Sequence, residues 1–174
     1  MYTSDILALV QYNFWANAQI LRVAEKISPK QFLAPMMPDP GWGNIRGTLV
    51  HTLDTEYGWR NLVQFGKPTP EIPEADFPDV ASVAARWDEE RVEWLAYIAS
   101  LDDASLNGFY TYLGSDGATR KRRVWQTIVH VVNHGTQHRS EVAAFLTGYG
   151  SSPGELDFGL FLRDHPQFID GQAE

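Results

Sequence analysis

The sequence predicts an all-α protein, a four-helix bundle with a short β-hairpin before the last long helix. Four long segments carry apolar residues at intervals of three and four, which places them on one helical face. Stretches rich in proline, glycine and polar residues separate these segments. A chain of 174 residues suits one domain, so we expect residues 1–174 to form a single helical domain.

The first helix is predicted over residues 4–27. Ser4 can cap its start, and Pro29 follows its end. Its apolar face contains Ile6, Leu7, Val10, Phe14, Ala18, Leu21 and Ile27.

The second helix follows a turn-rich loop at residues 39–43. Asn44 can cap its start, and the helix runs to about Phe65, where Gly66 and Pro68 stop it.

Residues 66–78 contain four prolines and no periodic apolar face, which indicates an extended crossover. The third helix is predicted from about Asp79 to Leu101, with residues 88–90 facing solvent. Its apolar positions are Val83, Trp87, Val92, Trp94, Leu95 and Ile98.

The hairpin is predicted over residues 108–123, with its turn at Asp116 and Gly117. A two-stranded ribbon is marginal alone, so it must pack on the helices. Residues 120–123 are the chain's one basic run. They are predicted to be mainly solvated, in a loop before the next helix, with an anionic ligand as the alternative partner.

The fourth helix is predicted from about Val124 to Thr147 and ends at Gly148, a residue type favoured at helix C-termini. A short last helix is predicted from Asp157 to Asp164, stopped by Pro166.

Composition excludes several classes of function. The net charge of −8 disfavours general nucleic-acid binding. The lack of cysteine removes disulfides, thiolate zinc sites and a cysteine nucleophile, and fits a reducing compartment. The sequence shows no secretory signal and no apolar stretch near 18 residues, so we expect a cytoplasmic protein without a membrane span. It has no glycine-rich phosphate loop and no serine elbow.

Histidines in two apolar segments indicate a metal site. His134 and His138 are four residues apart, so they share one helical face, and His51 from another helix can complete a set of three. Three nitrogen ligands with an open position are typical of a catalytic divalent metal site. His130 precedes His134 by one turn, and three such histidines span too far for one ion. Spacing alone does not choose between the pairs 130/134 and 134/138.

The surroundings of these histidines favour a site over ordinary core packing. Thr48, Thr55 and Gly58 flank His51 and leave space beside it. Polar residues lined up in a bundle interior cost free energy unless they are paired. On the fourth helix, one face carries a stripe of such polar residues: Thr127, His130, His134, His138 and Glu141.

Glu141 has three possible roles: an ordinary surface ion pair, a partner that orients a histidine, or a general base acting on bound water. Arg139 points away from the histidine stripe and is expected to form a salt bridge or an interface contact. Asn17 is either a buried hydrogen-bonding residue or a group that faces the site. His165 is expected at the surface. Trp42 and Trp59 can line the mouth of a pocket.

Four segments resemble the DinB/YfiT-like family of metalloenzymes. Residues 44–51, with Trp59 behind them, are similar to that family's second-helix segment. Residues 130–141 resemble its fourth-helix signature, in which an arginine follows the histidines. Residues 15–17 and the closing segment 148–158 are also similar, so the resemblance covers nearly the whole chain.

This resemblance implies an up-down-down-up bundle with His51, His134 and His138 as ligands and His130 beside them. It also implies a divalent ion, zinc or nickel first, a homodimer, and transfer reactions that use a small thiol. The family often has glycine and glutamine where this chain has Ser140 and Glu141. That departure affects the expected substrate and leaves the metal in place.

Three functions follow from these features. The first is a metal-dependent transferase in which the ion deprotonates a small thiol. The second is a hydrolase in which the ion activates water and Glu141 is the catalytic base. The third is a non-catalytic metal-binding or stress-related interaction protein.

Overall fold

The computed structural model describes residues 1–114 and 116–169. Its four long helices and one hairpin confirm the predicted fold class. The described helices are α1 Thr3–Ala24, α2 Pro29–Phe32, α3 Ile45–Phe65, α4 Val80–Ala99, α5 Asp103–Leu106, α6 Val124–Gly148 and α7 Phe158–Asp164. The strands are β1 Phe109–Leu113 and β2 Thr119–Arg123, and short 3-10 turns lie at Glu74–Asp76 and Pro166–Phe168.

Side-chain caps set the ends of the central helices as predicted. The Asn44 side chain accepts the backbone N–H of Gly47 at 2.9 Å, and Asp79 accepts that of Ser82 at 2.8 Å. Gly66, with φ of 69°, ends α3 in the left-handed conformation that favours glycine.

The predicted bounds of the last long helix are confirmed to within one residue, whereas the predicted end of the first long helix was wrong. Helix α1 ends at Ala24 because Ser28 caps the separate helix α2, with Pro29 at its first position. Tyr2, not Ser4, precedes the first turn, and its backbone N–H donates to Asp5. Gly148 is still helical, and the left-handed glycine after α6 is Gly150, with φ of 79°.

Helices α3 and α4 run parallel. Trp87 donates to Glu56, and one turn later Glu90 pairs with Arg60, so contacts advance in the same direction along both helices. The extended segment between them, residues 66–78, makes this crossover possible.

Helix α6 runs antiparallel to α3. His51 faces His138, whereas Trp59, two turns later on α3, faces His130. Helix α1 packs between α4 and α6, and it runs antiparallel to α4, because Thr3 at its start donates to Asp103 just past the end of α4. The bundle is therefore up-down-down-up.

The hairpin packs on the bundle as expected. Its strands are antiparallel, with Phe109 opposite Arg123, and the Tyr110 hydroxyl lies 2.5 Å from the hydroxyl of Thr127 on α6. The basic run 120–123 forms strand β2, so the expectation of a solvated loop was wrong. No helix within residues 1–114 and 116–169 is long and apolar enough to span a bilayer.

Candidate metal centre

The three histidines of the predicted ligand set converge between α3 and α6. The His134 Nε2 atom lies 3.0 Å from His51 Nε2 and 3.2 Å from His138 Nε2. Nitrogens that share a tetrahedral ion at about 2.0–2.1 Å lie roughly 3.3 Å apart. The three side chains could therefore hold one metal ion, each through one ring nitrogen.

Hydrogen bonding alone does not satisfy this cluster. His138 Nδ1 lies 2.6 Å from Glu141 Oε2, and a carboxylate only accepts, so the proton of a neutral His138 ring is on Nδ1. The Nε2 atom of His138 is then unprotonated and points its lone pair at His134 Nε2. The His134 Nε2 atom has either one proton or one lone pair, so it cannot make a full hydrogen bond to both His51 and His138. A cation among the three Nε2 atoms gives every lone pair a partner, so these residues fit a metal.

Burial keeps two of the rings in the form that binds metal. Desolvation, followed by the charge of His138, lowers the pKa of His51 to about 4. The same two causes lower the pKa of His134 to about 3. Both imidazoles are therefore neutral near pH 7, and a neutral imidazole is the metal ligand. The carboxylate of Glu141 fixes the orientation of the third ring.

Trp42 covers one face of the site. Its ring stacks on His51 with 3.5 Å between centroids and 12° between planes. Left-handed Gly41 and Gly43, with φ of 104° and 73°, shape this loop. A side chain at position 47 would put Cβ 2.1 Å from the Trp42 carbonyl oxygen, so the loop reaches His51 only because Gly47 has none.

An acidic groove lies beside His51, between α3 and the crossover. Its volume is about 480 Å³, and Trp42 forms part of its wall. Asp54 accepts the backbone N–H of Ile72 at 2.7 Å, which fixes the crossover to α3. Burial raises the pKa of Asp54. The acidic residues that line the groove are Asp54, Glu71 and Glu74.

His130 lies outside the histidine cluster. Its ring is exposed, 5.2 Å from the Trp59 ring and 6.0 Å from the His134 ring between centroids. Burial of part of the ring, then the charge of Arg122, lowers the pKa of His130. Trp42 lines the groove beside His51, as expected for a residue at a pocket, whereas Trp59 contacts His130 outside the histidine cluster.

A buried polar network lies next to the ligands. Arg139 donates to the side-chain Oδ1 atoms of Asn13 and Asn17. The side-chain Nδ2 groups of the same two asparagines donate to Glu56 Oε1, at 2.7 and 3.0 Å. Arg139 is only 4% exposed and has no ion pair among residues 1–114 and 116–169, so the predicted salt bridge or interface contact was wrong. Asn17 is the buried hydrogen-bonding residue of the two alternatives.

The sequence interpretation missed Asn13 and Glu56 in this network, and it missed Gly135, which leaves space for the Arg139 side chain. Desolvation raises the pKa of Glu56, while bonds from Asn13 and Trp87 lower it. A Cβ at Gly135 would lie 2.7 Å from the Arg139 guanidinium. Asn13 and Asn17 are four residues apart on an otherwise apolar face, a signal that predicts a shared buried partner.

His165 is half-buried, not a surface residue as expected. Its ring stacks on Phe161 with 4.3 Å between centroids, and its Nδ1 lies 2.8 Å from the Phe161 carbonyl oxygen.

Comparison with known proteins agrees with these features. The family model of the DinB family matches residues 1–170. The chain is also similar to Protein DinB of Bacillus subtilis (strain 168), with 26% identity over 166 residues, which covers 88% of this chain and 91% of that protein. The chain therefore belongs to the DinB family.

Proposed function

We propose that His51, His134 and His138 bind one divalent ion, zinc or nickel first, and that the protein is a transferase acting with a small thiol. The observation that carries this proposal is the convergence of three Nε2 atoms, two of them on rings that stay neutral at pH 7. Glu141 contacts the far nitrogen of His138, so it does not supply a fourth ligand from that position. Three protein ligands leave room for a small molecule.

A thiol co-substrate fits both the site and the composition. The chain has no cysteine, so a sulfur nucleophile must come from a small molecule. A bound divalent ion would lower the pKa of a coordinated thiol, which makes the thiolate available near pH 7. The resemblance to thiol-using relatives points to the same chemistry.

The protein side chains have separate tasks in this proposal. The three histidines hold the ion, and Glu141 fixes the tautomer of His138. By stacking on His51, Trp42 restricts rotation of that imidazole ring and excludes water from one of its faces.

The hydrolase with Glu141 as catalytic base is the weaker alternative. The Oε2 atom of Glu141 accepts from His138, and its Oε1 atom accepts from Gln137 at 3.2 Å, so both oxygens are engaged. If Glu141 nonetheless acts as a base, Glu141→Gln abolishes turnover while metal affinity stays unchanged. If it orients His138, metal affinity falls and turnover at saturating metal persists.

The test uses apoprotein loaded with zinc, nickel or cobalt. Elemental analysis should give one ion per chain. A small thiol added to the cobalt protein should produce a sulfur-to-metal charge-transfer band, and an electrophile such as 1-chloro-2,4-dinitrobenzene should then be consumed. Bound metal with no band for any thiol contradicts the transferase proposal and supports the non-catalytic alternative. Ester hydrolysis without thiol supports the hydrolase.

We also propose, from the resemblance alone, that the protein is a cytoplasmic homodimer. Light scattering of the purified protein should give twice the chain mass of 19.6 kDa. A mass of one chain at micromolar concentration contradicts the dimer.

A further inference from the structure

Arg122 lies against two aromatic rings that contact each other edge to face, on the side of the site opposite the acidic groove. Its guanidinium carbon lies 5.1 Å from the Trp59 ring centroid and 5.4 Å from that of Tyr112. The hairpin register fixes this place, because Arg122 pairs with Tyr110 and lies diagonally across from Tyr112. The side chain is half-buried.

The other cations of strand β2 have structural partners. Arg120 forms two bonds to the Asp116 carboxylate, at 2.6 and 2.7 Å. Lys121 lies over a phenylalanine ring, and Arg123 donates to a backbone carbonyl. Within residues 1–114 and 116–169, the Arg122 guanidinium has neither a hydrogen bond nor an ion pair, so its donors are available to a ligand.

A continuous aromatic wall connects Arg122 to the histidine cluster. The Trp59 ring contacts that of His130, and the His130 ring lies 6.0 Å from that of His134. Trp59 follows His51 by eight residues on α3, which is about 12 Å along the helix axis. A molecule of that length reaches both Arg122 and the histidines.

The charges on the two sides of the cluster differ in sign. The groove beside His51 is lined by acidic residues, including Asp54 and Glu71, which repel an anion. Arg122 attracts one, and the planar fork of a guanidinium matches a carboxylate through two parallel bonds. This asymmetry orients an anionic molecule with its negative end at Arg122.

We propose that Arg122 binds a carboxylate of the thiol co-substrate while the sulfur end lies at His51, His134 and His138. This assignment rests on the proposed function. It narrows the co-substrate class to small thiols that carry a carboxylate.

The test compares thiols of different charge on the cobalt-loaded protein, using the sulfur-to-cobalt band to measure Kd. The probes are three thiols of matched length, long enough to bridge the two places: 8-mercaptooctanoate, neutral 8-mercapto-1-octanol and cationic 8-amino-1-octanethiol. Arg122→Gln should raise the Kd of 8-mercaptooctanoate at least tenfold and leave that of 8-mercapto-1-octanol within about twofold, since only the charged bond is lost. Arg122→Lys should recover part of the affinity, and 0.5 M salt should weaken binding of 8-mercaptooctanoate more than binding of the neutral thiol.

The matched control is Arg120→Gln, which removes the same charge two residues away and should leave both Kd values unchanged. An equal effect of Arg122→Gln on all three thiols, or none on 8-mercaptooctanoate, overturns the assignment.

If no thiol gives a band, the proposed function fails, and Arg122 is judged by calorimetry with succinate and inorganic phosphate. Succinate binding that Arg122→Gln removes supports the carboxylate site. Absent succinate binding, or tighter binding of phosphate, overturns it.

Discussion

At the scale of single residues, helical spacing predicted which histidines share a face of the last long helix. It did not predict which of them lie opposite His51 along the bundle axis. The pairs 130/134 and 134/138 are equivalent in sequence. The choice depends on how α3 crosses α6, because His51 meets His134 and His138, whereas Trp59 covers His130. Such a crossing level is a tertiary property that one helix's sequence does not contain.

Alanine substitution of His51, His134 or His138, one at a time, should reduce metal affinity more than loss of an orienting partner does. Glu141→Gln removes the partner that orients His138 and should lower metal affinity by about 10–100-fold. His130→Ala is the matched control and should change affinity little, because this exposed ring lies outside the cluster. Competition with a chromophoric chelator measures each Kd. Unchanged affinity in any of the three variants excludes that residue as a ligand.

The apoprotein should lose stability as the pH falls from 6.5 to about 4. The pKa of His51 is lowered from 6.5 to about 4, and that of His134 from 6.5 to about 3. In this window the unfolded chain binds protons that the folded apoprotein does not, so acid favours unfolding. Urea unfolding at pH 7, 6 and 5 measures the effect.

The control for the pH series is the double variant His51→Gln with His134→Gln, which should show a shallower pH dependence than the wild-type apoprotein. Identical slopes in the two proteins would mean that these rings do not cause the loss.

At the scale of elements, the apolar periodicity predicted every long helix, because burial of one face is a local signal. Helix α1 shows what that signal leaves out. Its Asn13 and Asn17 reach a carboxylate on α3 and an arginine on α6. Their spacing indicates that they share a buried partner, but local periodicity does not identify which residues that partner comprises. The short helices α2 and α5 were not predicted, for a different reason. Their four residues are set by the Ser28 and Asp102 caps, with too little length for a periodic pattern.

Glu90→Ala should destabilise the fold by about 3–5 kcal/mol, since the buried guanidinium of Arg60 loses its two short bonds to a carboxylate and keeps only Gln64 at 3.2 Å and the exposed Glu93 at 3.9 Å. Glu90 is fully buried, Arg60 is 5% exposed, and two bonds join them between α3 and α4. Asp88→Ala on the same helix breaks only an exposed pair with Arg91 and should cost less than about 1 kcal/mol. Urea unfolding compares the two variants, and equal losses would show that the buried pair has no special weight.

At the scale of the whole molecule, the size of the apolar core predicts a fold that does not depend on the metal. The buried apolar cluster draws on all four long helices, with Ile6, Leu53, Trp94 and Ile128 each at most 1% exposed. A chain of this length buries roughly 70% of its unfolded surface, which is enough for a stable core. The candidate metal centre lies between α3 and α6 alone.

Chelation should leave the helical circular dichroism of the protein unchanged. Added metal should raise Tm, because an ion that binds only the folded state stabilises it by about 2.7 kcal/mol at 100 times its Kd. For a chain of this size that is a shift of roughly 5–10 °C. Thermal melts with zinc and with EDTA measure both effects. Loss of helix on chelation would make the metal a folding element, and an unchanged Tm would contradict specific binding.

The stacking of Trp42 on His51 gives this protein an internal optical sensor. An indole 3.5 Å from a ligand ring lies close enough for an open-shell ion, such as cobalt or nickel, to quench its emission, whereas closed-shell zinc does not. The chain has six tryptophans, so the difference between wild type and Trp42→Phe isolates this one signal. Binding of an open-shell ion can then be distinguished from binding of zinc in real time, without labels, in the purified protein.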